Sequence, residues 1–84
     1  MTRIIVERTF EAPLTVDELR AVETRMAPCL DLYGVRWIRS RLSSDRKRMI
    51  CEYEAADVAS VRNVQQESRA SFDRMWAAEV MGEG

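Results

Sequence analysis

The 84-residue sequence predicts an α+β domain, and three observations carry that expectation. Two segments space their apolar residues at helical intervals, the first of them behind a capping pattern. Four shorter segments are rich in β-branched and aromatic residues or alternate in polarity. These segments follow one another as strand, helix, strand, strand, helix, strand. The length allows one small domain, expected over residues 1–81, with residues 82–84 as a loose tail.

Residues 3–10, Arg-Ile-Ile-Val-Glu-Arg-Thr-Phe, form the first predicted strand. Glu11-Ala12-Pro13-Leu14 breaks it. Thr15-Val16-Asp17-Glu18 then offers a reciprocal cap, the Thr15 hydroxyl for the Glu18 amide and the Glu18 carboxylate for the Thr15 amide. Leu19, Val22, Met26 and Leu30 make one stripe of the helix that follows. Pro28 removes a helical hydrogen bond and crowds the preceding turn, so a kink or an end is expected near residues 25–27. Tyr33-Gly34 closes the unit.

Val35 to Leu42 alternates. Strict alternation puts Val35, Trp37, Arg39 and Arg41 on one face and Arg36, Ile38, Ser40 and Leu42 on the other. Ser43 to Lys47 is a turn with good local hydrogen-bonders, and Arg48 to Ala55 completes a hairpin. Asp57 is placed to cap a second helix, with Val58, Val61 and Val64 on one side and an end near residues 68–70. Phe72 to Val80 reads as the last strand, with Trp76, Ala78 and Val80 on one face. That order is the ferredoxin-like βαββαβ arrangement, in which two helices cover one face of a four-stranded antiparallel sheet. The other face stays open. A domain this small buries only somewhat over about 60% of its chain's surface, so a two-fold homodimer closed sheet on sheet is expected, the alternative being a monomer whose open sheet binds a ligand.

Composition narrows the function classes. Lys+Arg 13 against Asp+Glu 14 leaves a net charge of −1, with no global pull toward nucleic acid or an anionic membrane. No run approaches the roughly 20 apolar residues of a membrane helix. The start, Met1-Thr2-Arg3-Ile4-Ile5-Val6, meets Glu7 at once, unlike a secretory signal, so a cytoplasmic location is expected. The chain has no His, which removes the usual near-neutral acid/base and the commonest transition-metal ligand. Cys29 and Cys51 are too few for a disulfide framework and lack zinc or redox spacing. No cofactor is called for.

Three constellations remain. Arg36 to Arg48 holds six basic residues and one acid. Arg39 and Arg41 project together as forks suited to carboxylate or phosphate, with Trp37 for stacking. The ordinary alternative is a solvated hairpin whose arginines guard an edge and pair with neighbouring acids. RNA recognition would need adjacent aromatics with Gly on the third strand, which Met49-Ile50-Cys51-Glu52-Tyr53 does not supply. Glu7, Glu52 and Glu54 suit a hard cation or a general base, or else they are partners for Arg8, Arg39 or Arg41. Cys51, below a basic run, is either a reactive thiol or a small buried hydrophobe.

Several short stretches taken in order resemble one family. They are Val6-Glu7-Arg8-Thr9-Phe10, Leu14-Thr15 with Glu18-Leu19, Gly34-Val35-Arg36-Trp37 with Ser40, and Cys51 with Tyr53-Glu54-Ala55 and Asp57. Val61-Arg62 and Asp73-Arg74 fit as well. The chain is similar over residues 3–80 to a family of small bacterial proteins called the nickel-binding, ferredoxin-like family. The resemblance implies the ferredoxin-like fold, an α/β-barrel dimer and nickel binding. Members often carry His where Arg39 stands and near residues 63–65, and a positive Arg39 there repels a metal and attracts an anion. No metal-binding residue is therefore assigned.

The expected function is a small homodimeric binding protein for an anionic or aromatic small molecule on the sheet face. Glu7, Trp37, Arg39, Arg41, Cys51 and Tyr53 are its candidate residues: Trp37 and Tyr53 for stacking, Arg39 and Arg41 for charge, Glu7 as polar anchor or base. One alternative is a cofactor-independent isomerase, cyclase or oxygenase of the dimeric α/β-barrel type, with Glu7 or Tyr53 as acid/base. The other is metal binding through Glu7, Glu52, Glu54 and Cys51.

Overall fold

A computed structural model describes residues 1–82 and shows the six elements in the predicted order. They are β1 (Thr2–Thr9), α1 (Val16–Tyr33), β2 (Arg36–Leu42), β3 (Arg48–Ala55), α2 (Val58–Glu67) and β4 (Arg74–Ala78). The strands make one four-stranded antiparallel sheet in the order β2-β3-β1-β4. The architecture is thus α+β and ferredoxin-like. Of the expected tail, residues 83 and 84 lie outside the described residues.

Local chemistry explains most boundaries. The Glu18 amide donates to Thr15 Oγ1 at 3.1 Å and the Thr15 amide to Glu18 Oε1 at 3.3 Å, so the capping box forms in full. Gly34 ends α1 in the left-handed region (φ 63), where a side chain carries a steric cost. Asp57 accepts from the Ser60 amide at 2.8 Å and starts α2. In the hairpin turn the Asp45 carboxylate accepts from the Ser43 hydroxyl at 2.6 Å and the Lys47 amide at 3.0 Å. Those two donors hold its carboxyl below the usual range, the Ser43 hydroxyl foremost.

Three expectations need correction. First, α1 does not end near residues 25–27 but runs through Pro28 to Tyr33. Thr24 and Pro28 are both exposed, so water reaches the carbonyl that Pro28 leaves without its amide. Met26, Cys29, Leu30 and Tyr33 meanwhile pack against the core and hold the helix on course. Second, β4 covers Arg74–Ala78 only, because Ala78 already pairs with Arg3 and little of β1 lies beyond it. Third, the alternation of β2 breaks: a bulge between Trp37 and Arg39 turns the rest of the strand over.

The core lies between the helices and one face of the sheet. Ile4 and Val6 of β1 and Met49, Cys51, Tyr53 and Ala55 of β3 meet Met26 of α1 and Val61 and Val64 of α2. Val61 and Val64 are fully buried, and each contributes about 1.5–3 kcal/mol of hydrophobic stabilisation. Among the described residues, no helix is long and apolar enough to cross a membrane.

Candidate functional site

Strand register sorts the uncovered face into rows. Across β2, β3, β1 and β4 these read Arg36-Glu54-Arg3-Ala78, then Arg39-Glu52-Ile5-Trp76, then Arg41-Ile50-Glu7-Arg74. Opposite charges fall side by side, so pairing follows. Arg3 bonds Glu52 and stands 3.6 Å from Glu54, Arg36 is 3.3 Å from Glu54, and Arg39 is 3.6 Å from Glu52. Glu7 lies 3.6 Å from Arg74, and its Oε2 accepts the Trp76 indole N–H at 2.8 Å. Glu7 and Glu52 therefore share a face, which strand parity alone leaves open.

One end of this face is different. A groove of about 290 Å³ lies there, lined by Glu7, Arg8, Thr9, Arg41, Leu42, Ser43, Arg48, Met49, Ile50, Asp73 and Arg74. Asp73 accepts the Thr9 hydroxyl at 2.9 Å. Among the described residues no carboxylate lies within 4 Å of Arg41 or Arg48. Six arginines (Arg3, Arg36, Arg39, Arg41, Arg48 and Arg74) meet four carboxylates (Glu7, Glu52, Glu54 and Asp73) around the face. The face carries a positive surplus although the chain's net charge is −1.

The helix side of the sheet holds the other candidates. Trp37 pairs across the strands with Tyr53 and is half-exposed, its indole N–H donating to Ser40 Oγ at 3.0 Å. Cys51 and Tyr53 are buried under the helices. Between them reaches Arg8, whose Nη2 donates to the Tyr53 hydroxyl at 3.2 Å and the Cys51 sulfur at 3.4 Å. The Tyr53 hydroxyl in turn donates to Met26 Sδ at 3.4 Å. Burial pushes the Tyr53 phenol up to about 12, the neighbouring Cys51 adding to the rise and Arg8 opposing it. Tyr53 is thus a neutral hydrogen-bonding group at neutral pH.

The structure therefore divides the candidate set. Glu7, Arg39 and Arg41 share the open face; Trp37, Cys51 and Tyr53 stand on the opposite one. The bulge is the cause for Trp37, which strict alternation would set beside Arg39. The aromatic ring that does share the arginines' face is Trp76. Arg8, Arg48 and Arg74 were absent from the candidate set. Their signal was available: Arg48 shares parity with Ile50 on β3, and Arg8 continues the inward series of Ile4 and Val6.

Comparisons with known proteins agree with this fold. The crystal structure of SCO4226 from Streptomyces coelicolor A3(2) matches with a TM-score of 0.83 and 11% sequence identity, covering 95% of this chain and 99% of that one. No curated protein matches the sequence significantly. A family model described as nickel responsive protein SCO4226-like matches residues 5–77. The residues here do not fit a nickel ion. The chain has no His, and among the described residues no three Cys, Asp or Glu are grouped to hold a metal. Glu7, Glu52 and Glu54 are taken by arginines, and Cys51 faces a guanidinium on the other side of the sheet. The match nevertheless spans nearly the whole chain, and the protein belongs to the SCO4226-like family of nickel responsive proteins.

Proposed function

We propose that this protein is a homodimeric, cytoplasmic binding protein for a small anion, a carboxylate or phosphate, held in the open-face groove by Arg41 and Arg48. The observation that carries the reading is a pair of arginines with no carboxylate within 4 Å among the described residues, both lining a groove of about 290 Å³. Guanidinium forks match such anions in a bidentate way. Ile50 supplies an apolar floor, and Trp76 in the next row offers a ring to an aromatic anion. Arg39 belongs to the same face but acts through Glu52.

The dimer enters through the same surface. Ile50 and Trp76 are 43% and 46% exposed on the uncovered face, and a sheet-on-sheet dimeric barrel would cover them. Two such faces bring their arginine surpluses together, so a bound anion favours association by neutralising them. The unpaired thiols of Cys29 and Cys51 suit a reducing compartment. Tyr53, held protonated to about pH 12, and Glu7, tied to Arg74 and Trp76, suit anchoring better than proton transfer.

Native mass spectrometry of protein purified without metal, followed by calorimetric titration with inorganic phosphate and with benzoate, tests this. The expected result is a dimer that binds one of the two probes and loses about tenfold or more in affinity on Arg41→Ala with Arg48→Ala. A monomer that binds neither probe, or a double variant that binds as well as the parent, overturns it.

A further inference from the structure

The covered face holds a cation with no carboxylate within 4 Å among the described residues. Arg8 is 5% exposed. Its guanidinium carries a positive charge and five N–H donors. Three acceptors meet those donors: the Ser71 carbonyl at 3.0 Å, the Tyr53 hydroxyl at 3.2 Å and the Cys51 sulfur at 3.4 Å. Two N–H groups are thus without a protein acceptor. A desolvated ion without a counter-ion is costly, and a buried cation without one is rare.

The same side chain borders a crevice of about 100 Å³ between the end of β1, the first turns of α1 and the loop joining α2 to β4. Phe10, Leu14, Leu19, Val22 and Met49 form an apolar wall, and Ser71 and the exposed Arg69 also line the crevice. Ser71 both accepts from Arg8 Nη1 and lines the crevice, which puts the guanidinium edge at its wall. The space exceeds what one water needs, and its apolar wall offers water few partners.

We propose that this crevice, which shares Arg8 and Met49 with the open-face groove as lining residues, is a second binding site that takes a short-chain aliphatic monocarboxylate. The carboxylate meets the spare N–H groups of Arg8 and supplies its missing charge. The alkyl tail lies against Leu14, Leu19 and Val22. A phosphate would leave that apolar wall uncovered, so the crevice favours an aliphatic carboxylate over phosphate.

Titration with acetate, propionate and butyrate at constant ionic strength, against chloride and followed by amide-resonance NMR, tests the site. The expected result is saturable shifts at Arg8, Phe10, Leu19 and Ser71, with affinity rising about fourfold per added methylene until the crevice is full. Arg8→Met exchanges the cation for an apolar chain and should weaken butyrate about tenfold or more. Leu19→Trp fills the crevice, keeps Arg8 and should do the same, so the test survives if one variant fails to fold. The Arg41→Ala, Arg48→Ala variant should bind butyrate as the parent does, which reads the two sites apart. Shifts no different from those in chloride, or equal butyrate affinity in Arg8→Met or Leu19→Trp, would overturn the proposal.

Discussion

On the open face of the sheet Arg3, Arg36, Arg39 and Arg74 each lie within 4 Å of a carboxylate, whereas on the covered face Arg8 has three uncharged acceptors and, among the described residues, no acid within 4 Å. Arg36 and Arg74 are exposed, cheap to keep and add little, since water screens them whether or not they pair. Arg3 and Arg39 are partly buried, and Arg3 Nε is enclosed without an acceptor among the described residues. Arg8, buried, is expensive, and its neighbours are arranged around it. Tyr53 is 1% exposed and divides its hydroxyl between Arg8 and Met26. Gln65, beside Tyr53 and fully buried, presents its amide without a well-formed hydrogen bond. The lesson is that one residue type has opposite energetic weight on two sides of a single strand.

The contrast can be broken most severely at Tyr53. Tyr53→Ala should cost about 3–5 kcal/mol in urea unfolding, from the cavity and the stranded Arg8 together. A loss below about 1 kcal/mol would mean the covered face is not the structural one. The proton on Tyr53 gives a sharper test. Its pKa rises from 10.0 in the unfolded chain to about 12 in the fold, so the folded state holds the proton more tightly. That contribution, about 2–3 kcal/mol, is full below pH 10 and disappears as pH rises through 12. Denaturation measured across that window should show the decline, and Tyr53→Phe should remove it.

Gln65 probes the same layer with the opposite sign. Gln65→Met deletes two unsatisfied polar atoms at nearly constant volume and should stabilise the fold by about 1–2 kcal/mol. Destabilisation in the same thermal or urea assay would show that the amide has a partner in solution. The smallest effect belongs to the open face. Glu52→Gln loosens both Arg3 and Arg39, yet it should cost no more than about 1 kcal/mol, and less in high salt. A larger, salt-insensitive loss would make the two faces alike.

Much of the fold was legible because its signals are local. The Thr15–Glu18 box, the Asp57 cap, the Ser43–Lys47 turn and the Gly34 stop all act over a few residues, and each forms as read. The candidate site was legible only by halves. Arg39 and Arg41 do stand with Glu7, but Trp37 does not, since one extra residue in a strand reverses every side chain beyond it. Pro28 shows the same limit from the helix side: its cost depended on whether water could reach Thr24.

By itself, then, the sequence determined the element order, the strand parity outside β2 and the caps, because hydrogen bonds between near neighbours and apolar periodicity decide those. Only the tertiary structure decided that β2 bulges, that among the described residues Arg39 meets an acid while Arg41 and Arg48 do not, and that Arg8 lies beside Cys51, Tyr53 and Ser71. Those outcomes rest on residues more than 40 positions apart being brought within hydrogen-bond reach. Charge and burial at such points are properties of the packed chain, since the same arginine costs little in water and much beneath two helices.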